Sequence, residues 1–493
     1  MVRFGFITLL LTSLAAAQFT PVAHEAYYQT VTLESPPGAI IEVSGLAPMP
    51  DGKLAVATRR GEVWVVANPC AEPATHTNLR WSRHAEGLHE ILGLCYHDGA
   101  LYATQRSEVT RLSDLNQDGL ADEYLCASRG WSVSGAYHEY AYGPVFDAEG
   151  NMHNTLNCSM GKTWMGAGEE ASNHLWRGWS IMTPKGKSRP MGFSAGYRSP
   201  SGLCANAAGE IFANDQQGNW VPTSPIMHVQ AGAFYGHADA LANQDHPASL
   251  LKSRPQVRED LTIAQAIDQI HGYRPPAVWL PYIKFGQSTT GMSFDQTDGK
   301  FGPFTHQLFV GEFVFAGVNR VSLQKVRGQY QGACYPFVSA LQCAVLSLNF
   351  LKDGSMILGQ TNRGWNSYGN RPHGLQRLKP TGRVPLEILK LEAVRGGFEF
   401  TFTLPVKATD GWQQTKGSSH TYHHHSKYGS PEIDQKPLAL RDWQLSSDGL
   451  RLQVQCSNMR AGYVHEFELP EIQSQSGETL WHRTCAYTLN LIP

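Results

Sequence analysis

Asp114, Asn116, Asp118 and Asp122 place four oxygen-bearing side chains around Gly119. This matches positions 1, 3, 5 and 9 of an EF-hand-like calcium loop, with glycine at position 6 where the chain turns sharply. Position 12 is Leu125, so the bidentate glutamate is absent. The spacing predicts a structural calcium at this turn; the alternative is a solvated acidic turn. Gly192-Phe193-Ser194-Ala195-Gly196 has the letters of a nucleophile elbow. That chemistry needs a strand–turn–helix above a parallel sheet, which nothing nearby predicts, so Ser194 receives no catalytic role. His423, His424 and His425 offer three imidazoles to a transition metal, but neighbouring side chains on one loop seldom converge. The stretch 418–426 reads as an exposed polar loop. Denser constellations of polar and aromatic groups stand at Tyr137-His138-Glu139-Tyr140, at Gly196-Tyr197-Arg198-Ser199-Pro200-Ser201-Gly202-Leu203 and at Asp215-Gln216-Gln217-Gly218-Asn219-Trp220.

The chain that must position these groups has 493 residues, enough for one large β architecture or two domains. Its 48 Gly and 28 Pro suit many tight turns, and 42% hydrophobic residues suit a folded core. A formal net charge of -2 gives no global field for nucleic acid. A glycine turn followed by a β run, a polar break and a second β run recurs at Asp51-Gly52, Asp98-Gly99, Glu149-Gly150, Ala208-Gly209, Asp298-Gly299 and Asp353-Gly354. The copies lie about 50 residues apart, the length of a four-stranded propeller blade, and six copies predict six blades. One longer interval carries an insertion over residues 240–281, with a short helix near Leu261 to Ile270, expected to lie over one end of the channel.

After about Lys390 the period stops and alternating strands follow, predicting a separate β-sandwich. The expected layout is therefore a signal peptide over 1–17, an all-β six-bladed propeller over 18–390 and a small β-sandwich over 391–493. Arg3, the apolar run Phe4 to Ala17 and Ala15-Ala16-Ala17 predict export, to a periplasmic or extracellular destination, with cleavage after Ala17. No later apolar stretch is long enough for a membrane span. All nine Cys follow that site, in a compartment that permits disulfides. Cys334 with Cys343 and Cys456 with Cys485 are the preferred pairs, one thiol being left over.

The segments around His138 and Arg198 resemble the soluble PQQ-dependent sugar dehydrogenases, the glucose and sorbosone dehydrogenase family of six-bladed propellers. The resemblance covers roughly residues 40–390. It is closer to an exported group with an extra C-terminal β domain, whose signatures are similar to Gly359 to Trp365 and Gly374 to Leu378. It implies that His138 is the general base that takes the hydroxyl proton of the sugar as hydride passes to the quinone, a transfer that an imidazole titrating near neutral pH suits. It implies that Arg198 polarises the quinone carbonyl as negative charge develops. In the family a calcium that holds the cofactor takes backbone carbonyls from a turn to which Gln217-Gly218-Asn219 is similar. The sequence departs from the family where its channel lysine falls near Val314 or Phe315 and its arginine pair near Ala344 and Leu346. Ser199 also stands where the family prefers Asn. Arg320, Arg363 and Arg371 are the cations on neighbouring loops that could take over, Arg363 within the Gly359 to Trp365 signature.

These readings lead to an exported oxidoreductase that oxidises a sugar or polyol hydroxyl with PQQ and calcium and passes electrons to an acceptor the sequence does not identify. Two alternatives stay open. One is a non-catalytic propeller that binds carbohydrate or protein through aromatic loops, with Trp164, Trp176 and Trp179 as examples. The other is a calcium-dependent lactonase-type hydrolase with ligands such as Asp147, Asn206 and Asp295.

Overall fold

The computed structural model describes residues 23–134, 136–159 and 174–493. The proposed leader over 1–17 and Trp164 lie outside the described residues. No described helix is long and apolar enough to cross a membrane.

The fold is an all-β propeller. Six antiparallel sheets of four strands, one of them extended further, begin with the strands Val43–Pro48, Leu94–His97, Ala141–Phe146, Leu203–Ala205, Thr289–Phe294 and Val345–Phe350. Each of these first strands contacts the next, and the sixth contacts the first, so they form a closed ring around a channel. All six glycine turns found in the sequence join the first and second strands of a sheet, their glycines at φ between 78° and 90°. Only glycine adopts that backbone without a Cβ penalty, which is why the turn repeats as glycine. A second use of glycine holds the ring tight. A Cβ on Gly93 would lie 1.7 Å from the Gly143 carbonyl oxygen, so neighbouring blades approach there backbone to backbone.

The ring is closed by the start of the chain. Tyr28–Thr32 pairs with Gln376 to Pro380 as the outer strand of the sixth sheet. Tyr28 is buried there among Phe301, Phe337 and Trp481.

The C-terminal residues form two facing sheets, but they are not detached from the propeller. The outer strand of the fifth blade, Gln329–Val338, pairs with Thr484–Leu489, with Ala333 opposite Tyr487. The fifth blade and one tail sheet are thus a single eight-stranded sheet. The core between the two tail layers takes Ala333 and Tyr335 from the blade, together with Phe398, Phe400, Phe467 and Tyr487. Arg320, one of the cations considered for the channel, is buried at this seam. It donates to the Ile388 and Leu389 carbonyls at 2.6 and 2.8 Å, between the rings of Phe304 and Tyr335.

Several local expectations are corrected. The stretch 418–426 is not a loop: Lys416–Thr421 and His423–His424 are strands. Strand alternation turns His424 inward, where its Nε2 lies 3.0 Å from the Gly236 carbonyl, and leaves His423 and His425 half-buried on the other side. The insertion does contain a helix, Ile263–Gln269, capped by Thr262. It packs beside the tail strand rather than over the channel, with Leu261 paired to His424. All nine cysteines are free thiols. Cys334 and Cys343 belong to different core clusters, and Cys456 and Cys485 stand on opposed layers of the sandwich.

Candidate active site at the channel mouth

A cavity of about 300 Å³ opens where the first strands begin and the second strands end. Its walls come from the loops that enter each blade, and one device, repeated around the ring, holds these loops. The residue that ends or follows the second strand bonds back to the entry loop. Gln105 accepts from His89 N, and Asn157 Nδ2 donates to the His138 carbonyl at 2.6 Å. Asp215 accepts from the backbone N–H groups of Arg198, Ser199 and Gln216 at 2.7, 2.6 and 2.7 Å. Glu312 accepts from Gln287, Ser288 and Phe315 at 2.9, 2.5 and 2.6 Å, and Asn362 accepts from Ala344 at 3.3 Å. Burial pushes the Asp215 carboxyl up to about 6 and that of Glu312 up to about 7, while the donated N–H bonds pull both back down.

At the matching place in the first blade stands Arg59, which in the sequence looks like no more than a turn residue. Its Nη2 pairs with Glu90 and reaches the Tyr140 hydroxyl at 3.1 Å, and its Nη1 donates to the Arg363 carbonyl at 2.8 Å. Arg106 approaches the other Glu90 oxygen at 3.6 Å, so two buried guanidinium groups share one carboxylate beside Tyr140. The position, immediately after the second strand of each repeat, is a signal that could have singled out Arg59 from sequence.

His138 and Arg198 both line this one cavity, as do Gln217 and Arg363. Burial, followed by repulsion from Arg198, Arg59 and Arg106, lowers the His138 pKa below its usual 6.5, and Glu90 opposes them weakly. The imidazole is therefore neutral at pH 7 and able to accept a proton. Arg198 is buried, its Nε has no hydrogen-bond partner, and its Cζ lies 5.2 Å from the Tyr428 ring centroid. Gly218 packs under it so closely that a Cβ would sit 1.8 Å from Nε. Arg363 pairs with Glu42 at 2.9 Å. The lining missed by sequence reasoning includes Tyr142, Tyr282, Gln287 and Tyr428.

Other expected sites fall elsewhere. Asp114, Asn116, Asp118 and Asp122 come together in an exposed loop between Glu108–Ser113 and Glu123–Arg129, away from the cavity. Their carboxylates accept from the loop's own backbone, including Gly119 N to Asp114 at 2.9 Å and Leu115 N to Asp122 at 2.7 Å. Ser194 lies on an outer antiparallel strand, its hydroxyl 2.8 Å from that of Tyr197, which is no nucleophile setting. Asp147, Asn206 and Asp295 do not converge. Each holds the turn after the first strand of its own blade, at the end opposite the cavity, which removes them as a lactonase metal set. Trp176, in a turn, and Trp179, on a strand, are both buried in the core and offer no exposed aromatic surface.

The lining accommodates an anionic planar group such as PQQ on one side. Among the described residues it carries Arg59, Arg198 and Arg363 and no carboxylate, and the Nε donors of Arg59 and Arg198 are buried and unspent. The wall where the family has its lysine and arginine pair is instead Val314 and Leu346. At the Gln217-Gly218-Asn219 turn the Gly218 carbonyl is not free for the family's calcium. The Gly218 carbonyl already accepts from Gly429 N at 3.0 Å and from Val221 N at 3.2 Å, which uses both of its lone pairs. Asn219 faces away from the cavity and donates to the Ser426 carbonyl at 2.8 Å.

No family model and no curated protein matches the chain. Among solved structures it is similar to an oxidoreductase described as a glucose dehydrogenase from Thermus thermophilus, with 17% identity and TM-score 0.50 over 71% of this chain and 99% of that one. It is similar to the soluble aldose sugar dehydrogenase of Escherichia coli, with 14% identity and TM-score 0.50 over 72% and 99%. It is also similar to the PQQ domain of pyranose dehydrogenase from Coprinopsis cinerea, with 11% identity and TM-score 0.50 over 73% and 96%. At these identities the likeness is one of fold. The propeller architecture that the resemblance implied is the one these dehydrogenases share.

Proposed function

We propose that the cavity is the active site of a quinoprotein-type oxidoreductase that oxidises a hydroxyl of a sugar or polyol, with His138 as the base. The observation that carries this reading is that His138 and Arg198 line one cavity, with the imidazole kept neutral. PQQ would be held by Arg198, Gln217, Arg59 and Arg363, and when bound it supplies the two-electron acceptor for the carbinol hydride. The substrate hydroxyl gives its proton to an unprotonated ring nitrogen of His138. Arg198 stabilises negative charge growing beside it, at a site where burial strengthens the interaction. The apolar wall of Leu92, Val314 and Leu346 limits the access of water to these groups.

The test is titration of the purified protein with PQQ, followed by quinone absorbance and by reduction of a dye with a panel of aldoses and polyols. Saturable binding and sugar-dependent dye reduction are expected. A chain that neither binds PQQ nor reduces a dye with any sugar would sink the reading. One observation favours a second reading, a carbohydrate-binding propeller without a redox cofactor: Val314 and Leu346 replace the family's cations. That reading leads if sugars bind and PQQ does not.

The loop of Asp114, Asn116, Asp118 and Asp122 is proposed as a peripheral calcium site with a structural role. Its oxygen donors are already gathered by their bonds to the turn. Calorimetry should show one calcium bound with Kd of about 10⁻⁴ to 10⁻³ M, as in extracellular modules, and lost in Asp118→Ala. Equal heats for the two proteins would make it an acidic turn only.

A further inference from the structure

We infer that the C-terminal unit is built into the active site, its loop 425–430 holding the Gln217–Asn219 rim in place where the related propellers use a cation. The inference rests on the reading of this cavity as the ligand site.

The contacts are mostly main chain and nearly continuous. Trp220 N donates to the His425 carbonyl at 2.8 Å, Gly429 N to the Gly218 carbonyl at 3.0 Å and Ser430 N to the Pro222 carbonyl at 3.0 Å. Asn219 adds its side-chain bond to Ser426. Gly429 must be glycine for this fit. Its φ is +64°, and a Cβ would stand 2.8 Å from the Gln217 side chain, which itself donates to Pro222 at 3.0 Å. Behind the loop, His424 packs against the rings of Trp220 and Tyr273, at 5.0 and 5.8 Å between centroids.

A second tether reaches the neighbouring entry loop. Lys284 donates to both oxygens of Glu432 and both of Glu466 at 2.7 to 3.0 Å, while Tyr282, Gln287 and Ser288 of the same loop line the cavity. Buried His420 lies 3.8 Å from Glu432 and 3.5 Å from Glu466. The lysine ammonium thus sits where these three side chains could otherwise collect a metal ion. Two rim segments are fixed by the tail, and between them Tyr428 is delivered onto Arg198 as an aromatic wall. A ring there suits stacking against the face of a sugar or quinone.

The Gly218 oxygen has no lone pair left for a cation, one being taken by Gly429 N of the tail and the other by Val221 N of the propeller. The positive partner of that carbonyl is the Gly429 N–H dipole, which no chelator removes. Hydrogen–deuterium exchange on the full chain carrying Asp118→Ala, which removes the peripheral loop from the comparison, tests this without quinone or sugar. Peptides spanning 216–222 and 425–431 should be protected to the same degree in EDTA and in millimolar calcium. In Gly429→Ala both segments should exchange at least ~10-fold faster together, whereas Tyr428→Ala should leave them protected. Faster exchange of 216–222 in EDTA, restored by calcium, would overturn the inference. So would a fast 425–431 segment beside a slow 216–222. If Gly429→Ala does not fold, the EDTA comparison decides alone. A protein that never binds PQQ fails the proposed function without touching this result.

Discussion

If the proposed function holds, His138→Ala should lower the turnover of the PQQ-loaded protein by about 100-fold or more, while PQQ binding should change little. The imidazole is the group suited to take the hydroxyl proton, and the cations around the cavity make poor substitutes as bases. The pH profile carries a second signature. Because burial and three arginines lower the His138 pKa below 6.5, the base is neutral through the neutral range and is lost only as pH falls below that value. Turnover should therefore stay level from pH 8 to about 6.5 and decline at lower pH. The alanine variant should lack that acid limb. A variant that keeps half of the wild-type turnover, or an unchanged limb, would remove His138 from the mechanism.

Asp215→Ala should cost about 2–4 kcal/mol of stability, since one buried and two partly buried N–H donors lose their acceptor and the relief of a buried carboxyl offsets only part of that. The same change frees the main chain of Arg198 and Ser199, so ligand binding at the mouth should weaken by at least ~10-fold. The pH dependence has a definite sign. The Asp215 carboxyl is raised on folding to about 6, above the unfolded reference of ~3.9. Wild type then gains stability relative to the variant as pH falls through about 6, and the gain is complete below ~3.9. Thermal unfolding of both proteins at pH 7.5 and pH 4 measures the gap. A gap that narrows toward low pH would contradict the assignment.

The sequence shows the propeller clearly because its turns are enforced by backbone conformation: each repeat needs a glycine at positive φ, and the repeats are spaced by a fixed number of strands. His138 and Arg198 could be brought to one place only through the family resemblance, which sets both at positions that face one cofactor; in the structure each precedes its blade in an equivalent entry loop. The tail's attachment left no such mark. Pairing of Gln329–Val338 with Thr484–Leu489 joins segments far apart in sequence, and a strand with a partner reads like one at a free edge. The Tyr428 loop was hidden behind a run of histidines that looked like exposed polar sequence, whereas burial of His424 depends on Trp220 and Tyr273 from the propeller. The thiols were misread because sequence proximity and a shared core are not Cα separation. Arg59 was missed because its role depends on Glu90 and Tyr140, residues of two other blades.

The first strand of the propeller, Tyr28–Thr32, finds its partner only in Gln376 to Pro380. On a ribosome that releases the chain from its N-terminus at about 5–20 residues per second, five blades can be made while this strand still has an open edge. The ring then has two late events, capture of its own beginning and annexation of the fifth blade's free edge by Thr484–Leu489. The second covers the edge of a ten-residue strand that would otherwise invite pairing with another chain, whereas the first leaves Tyr28–Thr32 as the outer edge of its own sheet. A chain cut short after the sixth blade would therefore carry a finished ring whose fifth blade ends on a bare ten-residue strand, Gln329–Val338, a longer free edge than any other blade presents.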